Sequence, residues 1–146
     1  MIFLDTSVLI ATAHVTHERH LASRELWNRC AGQPAAVSTH TIAELFNTLT
    51  SMPPPFRLAP RDAVLAVETF LLRLTPVTLT AEEYMETLRR TANLGRSGGI
   101  IYDALLLACA RKAKAERIYT WNARHFQMAA PDLAGRIVTP STIDCE

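Results

Sequence analysis

Residues Gly98–Ala113 read GGIIYDALLLACARKA, and this stretch sets the terms for the rest of the chain. From Ile100 to Cys109 the residues are apolar on every side of a helical wheel, as in a helix covered on all its faces. One full charge, Asp103, interrupts the run. A carboxylate there needs an ion pair, hydrogen bonds or a bound cation. Two glycines precede the helix, so Asp103 falls in its first turn, where free N–H groups and the helix dipole favour an anion. No Lys or Arg lies within a turn of it: Arg96 is further back and Arg111 two turns on. Asp103 therefore either caps the helix or faces a site, and the second reading explains the missing partner.

Outward from that helix, short apolar runs alternate with helical stretches. Met1–Leu4 is a continuous apolar run of the kind found in a strand buried on both faces, and it stops at Asp5-Thr6-Ser7. Ligands of open α/β sheets bind beyond the carboxyl ends of the strands, so Asp5 stands where sites are made. Thr6 and Ser7 are the expected caps of a short helix over Val8–Ala11, with Asp5 itself the competing cap. Thr16 is the expected N-cap of a helix running to about Cys30. His14, His17 and His20 precede or begin that helix at a spacing of three, which drifts around the axis, and no nearby Cys or acid completes a tetrahedral set. They read as a solvated helix start rather than a zinc site, with contact to an anionic substrate as the alternative.

Ala35–Ser38 reads as a second strand, and Ser38 or Thr39 caps a helix over Thr41–Thr50 with the apolar stripe Ile42, Leu45, Phe46 and Leu49. Glu44 lies on the other side with His40 and Asn47, and periodicity alone makes it a surface residue. Met52–Pro55 ends that helix. The next begins at Pro60 and turns Ala63, Val64, Val67, Phe70, Leu71 and Leu74 to one side. Thr75–Leu79 is a third strand, which Pro76 confines to a start or an edge. Thr80 and Glu83 form a capping box for a helix that is expected to carry Tyr84, Met85 and Leu88 inward and to stop near Gly95. Arg117–Thr120 and Gly135–Pro140 supply two more strands, with Trp121–Phe126 at the carboxyl end of the first. This alternation predicts an α/β fold: a three-layer α/β/α sandwich with a mostly parallel central sheet.

A chain of 146 residues at net charge +1, 49% hydrophobic and 20% charged, suits one domain, residues 1–146, with a core of its own. The basic residues are nearly all Arg, which suits bidentate phosphate contacts, although a GC-rich genome gives the same bias. Cys30, Cys109 and Cys145 are widely spaced and odd in number, which points to reduced thiols and a cytoplasmic protein. No basic leader and no stretch long enough to span a membrane is present.

The candidate site is acidic. Asp5, Asp103 and, at an equivalent position after the fourth strand, Asn122 offer oxygen ligands without Cys or His, a set suited to Mg²⁺ or Mn²⁺. Carboxylates held together repel, and a cation relieves that. Such a metal acidifies water and steadies the leaving oxygen of a phosphodiester. The chain has no P-loop, no G-x-G-x-x-G, no G-x-S-x-G and no H-E-x-x-H.

Four motifs, in order, carry a resemblance that runs essentially end to end: Ile2-Phe3-Leu4-Asp5-Thr6-Ser7, Thr41-Ile42-Ala43-Glu44-Leu45-Phe46-Asn47, Tyr102-Asp103-Ala104-Leu105-Leu106, and Tyr119-Thr120-Trp121-Asn122-Ala123-Arg124-His125-Phe126. The chain resembles the PIN-domain endoribonucleases and, within them, the VapC toxins of toxin–antitoxin pairs. The resemblance implies an acidic pocket of Asp5, Glu44 and Asp103, with Asp5 and Asp103 as direct metal ligands. It lifts Glu44 out of the surface class. The fourth pocket position, often Asp in that family, is Asn122 here; an amide oxygen still coordinates or accepts a hydrogen bond but brings no charge. Thr6, Ser7 and Thr120 become hydroxyl neighbours that orient ligands or phosphate. The implied chemistry is Mg²⁺-dependent hydrolysis of RNA by a metal-activated water, leaving 5′-phosphate and 3′-hydroxyl ends. The implied partners are a small VapB-like antitoxin and a second copy of the chain, with the stripe around Ile42, Phe46, Val64, Val67 and Phe70 as one source of apolar contact surface.

Two other readings compete. A PIN-like module that binds RNA or protein without cutting would make Asn122 the lesion. A phosphohydrolase or phosphotransferase acting on small molecules would use Asp5 as in aspartyl-phosphate enzymes, but the second Asp that such enzymes carry two residues on is Ser7 here.

Overall fold

The computed structural model of the protein describes residues 1–140; Cys145 lies outside them. Five short strands, β1 (Ile2–Leu4), β2 (Ala35–Ser38), β3 (Thr75–Val77), β4 (Arg117–Tyr119) and β5 (Ile137–Val138), form one sheet in the order β3-β2-β1-β4-β5. Every pairing is parallel, with Ile2 opposite Ala35 on one side and Leu4 opposite Tyr119 on the other. Successive residues of β1 face opposite layers. Ile2 and Leu4 join Val8, Leu9, Leu26, Leu45 and Phe70, whereas Phe3 joins Leu107, Ile118, Phe126 and Leu133. The expected α/β/α sandwich is therefore present. One outer layer holds α1 (Thr6–Ala13), α2 (His20–Arg29), α3 (Thr39–Ser51) and α4 (Pro60–Leu71). The other holds α5 (Ala81–Asn93), α6 (Ile100–Lys112), α7 (Ala123–Ala129) and a 3₁₀ turn at Pro131–Arg136.

Pro76 sits on the edge strand β3, where its missing N–H costs the sheet nothing. Thr80 and Glu83 make the expected capping box at α5, and Gly95, at φ 66°, turns the chain out of that helix. Arg111 of α6 grips Asp132 with two guanidinium nitrogens, fastening the helix to the 3₁₀ turn.

Several local expectations are corrected. Asp5, not Thr6 or Ser7, is the N-cap of α1. The helix after the histidines starts at His20 and not after Thr16, because residues 14–19 are held in a loop. There the Thr16 hydroxyl meets His14 Nδ1 at 3.2 Å, the His14 ring packs 4.5 Å from Phe56, and His20 Nδ1 reaches the carbonyl of Ala11 at 2.9 Å. On α5, Tyr84, Met85 and Leu88 point outward, 42–46% exposed, while Thr87 and Thr91 are the buried residues. The threonine methyls fit the close approach to α6, and each hydroxyl is satisfied by the carbonyl four residues back. Val64 of α4 is likewise exposed, and Leu74 is buried beyond the end of that helix. Helix α6 is not covered on every side: Ala104, Leu106, Leu107, Cys109 and Ala110 are buried, but Tyr102 is 57% exposed and Asp103 only half-buried.

The chain order reverses at β1. The segments up to β3 step away on one side of it, and β4 and β5 fill the other. The crevice beyond the carboxyl ends of β1 and β4 is the topological switch point, where open α/β sheets bind ligands.

Leu107, 1% exposed, anchors the layer behind that crevice. Leu107→Ala should cost about 2–5 kcal/mol, the range for a buried leucine that leaves a cavity. A urea titration should show this as a lower midpoint at unchanged slope, while Leu72→Ala, at an 85% exposed position, leaves the midpoint in place.

Candidate functional site

The crevice is built from loops that leave the strands at their carboxyl ends. Asp5 follows β1 directly, is 4% exposed, and anchors its backbone to β4 through its N–H to the carbonyl of Tyr119 at 3.0 Å. Its Oδ2 accepts the hydroxyl of Ser7 at 2.5 Å and that of Thr120 at 2.8 Å. Each hydroxyl in turn accepts a backbone N–H from the β4–α7 turn: Trp121 onto Ser7 at 3.0 Å, and Asn122 onto Thr120 at 2.9 Å. Asp5 Oδ1 takes no hydrogen bond among the described residues, which leaves its lone pairs available to a ligand.

Glu44 projects from α3 toward the same place. Thr6 Oγ1 donates to its Oε2 at 2.5 Å and lies 3.3 Å from Thr41 Oγ1, while His40 Nε2 is 3.6 Å from its Oε1. Periodicity put Glu44 on the face of His40, which is correct, and on the surface, which is half right: its side chain keeps 37% of its exposure but leans on α1. Asp103 comes from the first turn of α6. Asn122 is the N-cap residue of α7 and is exposed, with its side chain making no capping bond.

The charges feel one another. Burial pushes the Asp5 carboxyl above its ordinary 3.8 against the pull of the Ser7 and Thr120 hydroxyls, and Glu44 adds to the rise. Asp103 is raised by partial burial first, then by the charge of Asp5, with Glu44 contributing; His125 acts the other way. The structure thus brings Asp5, Glu44 and Asp103 into one electrostatic unit, with Thr6, Ser7 and Thr120 as the hydroxyls that hold two of them.

Among the described residues no three His, Cys, Asp or Glu side chains converge closely enough to enclose a metal ion. His14, His17 and His20 form no such group either. An all-protein cage is therefore absent, but the donor chemistry fits a hydrated divalent cation. Mg²⁺ keeps several waters and takes only one or two carboxylates, and an Asp5 Oδ1 free of hydrogen bonds, on a carboxylate whose charge Asp103 feels, meets that need.

Three groups near the acids escaped sequence reasoning. A cavity of about 550 Å³ opens beside Asp103, lined by Arg96, Ser97, His125 and Met128. His125 stands in the Trp121–Phe126 stretch already singled out, so its place in that motif was the available signal. The Arg96 side chain makes no hydrogen bond or ion pair among the described residues, its backbone N–H alone being bound, to the Thr91 carbonyl, and nothing in its local sequence marked it. The third is Tyr102, whose ring lies near-parallel to that of His40.

A family model described as the PIN domain matches residues 2–131. Ribonuclease VapC27 of Mycobacterium tuberculosis is 37% identical over 114 residues, spanning 77% of this chain and 79% of its own length. Ribonuclease VapC40 of the same organism is 34% identical over 119 residues, spanning 80% and 83%. Among solved structures, M. tuberculosis VapC20, a sarcin–ricin loop cleaving toxin, matches at a TM-score of 0.67 and 20% identity, over 86% of this chain and 92% of its own. The DNA-bound VapBC of Salmonella typhimurium matches at 0.69 and 24%, over 96% and 99%. At these identities the two structures show a shared fold.

Because the folded protein raises the Asp103 pKa, ionising that group costs stability as pH rises above 3.8. Asp103→Asn should therefore melt higher than the parent in EDTA at pH 7, with the gap closing toward pH 4. Solvent screening of a half-buried group limits the gain to about 1 kcal/mol, or about 2–4 °C. Added Mg²⁺ should stabilise the parent and not the variant; thermal melts in the two buffers test both.

Proposed function

The chain belongs to the PIN-domain family and, within it, to the VapC ribonucleases, and from that premise we propose that it is an endoribonuclease, the toxin of a toxin–antitoxin pair. One observation carries the reading. Asp5, Glu44 and Asp103 share the switch-point crevice, and among the described residues no Lys or Arg pairs with any of them. Like charges left in such proximity destabilise a fold unless a cation uses them.

We assign Mg²⁺, or Mn²⁺ in its place, to Asp5 and Asp103. When bound, the ion supplies Lewis acidity, acidifying water and offsetting charge on the phosphate. Ser7 and Thr120 fix Asp5 so that Oδ1 is the ligand oxygen. Glu44, steadied by Thr6 and His40, positions the attacking water. Asn122 completes the shell with an uncharged amide that accepts through its oxygen and donates through its NH₂. Water attacks phosphorus and the 3′-oxygen leaves, so products carry a 5′-phosphate and a 3′-hydroxyl.

The assignment of partners rests on the same family. A VapB-like antitoxin silences the site, and two copies of the chain form a homodimer. Phe46 and Val64, 39% and 46% exposed on α3 and α4, supply apolar surface for such contacts, whereas Val67 and Phe70 belong to the core. No helix among the described residues is long and apolar enough to cross a membrane, which is in keeping with action on RNA in the cytoplasm.

Purified, antitoxin-free protein incubated with total cellular RNA should yield discrete fragments in Mg²⁺ or Mn²⁺ and none in EDTA. Folded Asp103→Asn should yield none in either, and undiminished cleavage by that variant would remove Asp103 from the mechanism. Intact RNA in every lane would favour a PIN-like module that binds without cutting. Light scattering at micromolar concentration should give the mass of two chains; a monomer throughout would count against the homodimer.

A further inference from the structure

Two aromatic rings stand at the rim of the acidic crevice: Tyr102 has no part in the chemistry above, and His40 meets Glu44 only through the edge of its ring, at Nε2. Tyr102, from the first turn of α6, immediately precedes Asp103, and His40, from the first turn of α3, lies one turn before Glu44. Their ring planes are tilted by only 9°, with centroids 6.0 Å apart. Parallel rings in full contact sit about 3.5–4.0 Å apart. At 6.0 Å they are separated or slid sideways, and either arrangement leaves ring face uncovered. Tyr102 is 57% exposed and the His40 side chain 44%, so solvent reaches both. A tyrosine more than half exposed on α6 gains little by burial; its ring surface is available to a planar ligand.

We infer that Tyr102 and His40 form a stacking platform for one base of a single-stranded RNA, seating the nucleotide next to the phosphate that lies over Asp5 and Asp103. This rests on the nuclease reading of the same site. Each ring is tied to an acid by its place on a helix, so a base held on the platform brings its own phosphate to the carboxylates without any contact to the base edge. On the far side of Asp103 the strand meets the cavity lined by Arg96, Ser97 and His125, where the free guanidinium of Arg96 suits the next phosphate. Single-stranded RNA is commonly held in this way, by bases stacked on aromatic faces and phosphates on cations. Stacking tolerates any base but favours purines through their larger face, so Tyr102 biases which nucleotide flanks the cut.

The test uses an Asp103→Asn background, which keeps RNA intact, in Mg²⁺. Binding of fluorescein-labelled oligo(A) and oligo(U) is read by anisotropy, and stacking by quenching of a 2-aminopurine placed in the oligo(A). Adding Tyr102→Ala should weaken oligo(A) binding about tenfold or more, weaken oligo(U) less, and abolish the quenching. Tyr102→Phe, which keeps the ring, should bind and quench like the background protein. Unchanged binding and quenching in Tyr102→Ala would overturn the platform and leave the rings as a protein-docking surface. Equal loss in Tyr102→Phe would overturn it in favour of the hydroxyl, and failure of the background protein to bind RNA would overturn it outright. Wild-type cleavage separates the two claims. Metal-dependent cutting that Tyr102→Ala leaves untouched keeps the nuclease and removes the platform. Quenching in a protein that cuts nothing keeps the platform and removes the nuclease.

Discussion

The site depends on a single carboxylate oxygen. Asp5 Oδ2 holds the hydroxyls of Ser7 and Thr120, and those hydroxyls hold the backbone N–H groups of Trp121 and Asn122. Two loops that are more than a hundred residues apart in sequence are thereby fixed to each other at the mouth of the sheet. The arrangement is economical because each hydroxyl both donates and accepts, so one oxygen atom organises four groups. It also explains how a carboxylate only 4% exposed is tolerated without a cationic partner. Charge-assisted hydrogen bonds to one oxygen offset part of the desolvation cost and leave the other oxygen for a ligand.

The same arrangement sets stability against function. Burial and the neighbouring acids raise Asp5 and Asp103, so the folded metal-free chain carries a strain that its unfolded form does not. The Ser7 and Thr120 hydroxyls and His125 relieve it only in part, since both groups stay raised. The cations of α6 are engaged elsewhere, Arg111 with Asp132 and Lys112 with Glu83 on the far side of the helix. The core beneath compensates: fully buried Phe3, Leu4, Leu9, Leu107, Ile118 and Phe126 pack both faces of the three central residues of β1 and its neighbour β4.

Much of this was legible in the sequence. β1 and β2 were visible because each is a short run buried along its whole length, β3 and β4, more exposed, from their place between helical stretches, and the capping box at Thr80 and Glu83 because its chemistry is local. Asp103 stood out as one charge in an apolar helix. The misplaced side chains share one cause: periodicity reports which face is apolar, not which face has a neighbour. Tyr84, Met85 and Leu88 form an apolar stripe on α5 with nothing described against it, whereas Thr87 and Thr91 meet α6. Glu44 was invisible to the pattern for the converse reason, since its partner Thr6 lies 38 residues away on another helix. Family resemblance recovered Glu44; it included Tyr102 in a motif without giving it a role and did not touch Arg96, whose relevance comes from the ring pair with His40 in one case and the cavity shared with Asp103 in the other.

Asn122 follows from the same electrostatics. Under the proposed metal assignment, three ionised carboxylates and one divalent cation would leave a net charge near −1 in the crevice, and an RNA phosphate would add another. A fourth carboxylate at the β4–α7 turn would add repulsion where Asp5 and Asp103 are already raised by their surroundings. Its backbone N–H is committed to Thr120, so position 122 is held whatever its side chain, and the side chain is free to be neutral. A neutral amide still orients water or phosphate through both of its ends. On this argument Asn122 is matched to the proposed site, in which a cation on Asp5 and Asp103 and the proposed stacking would share the work of holding substrate, where an acid at that position would favour a second ion.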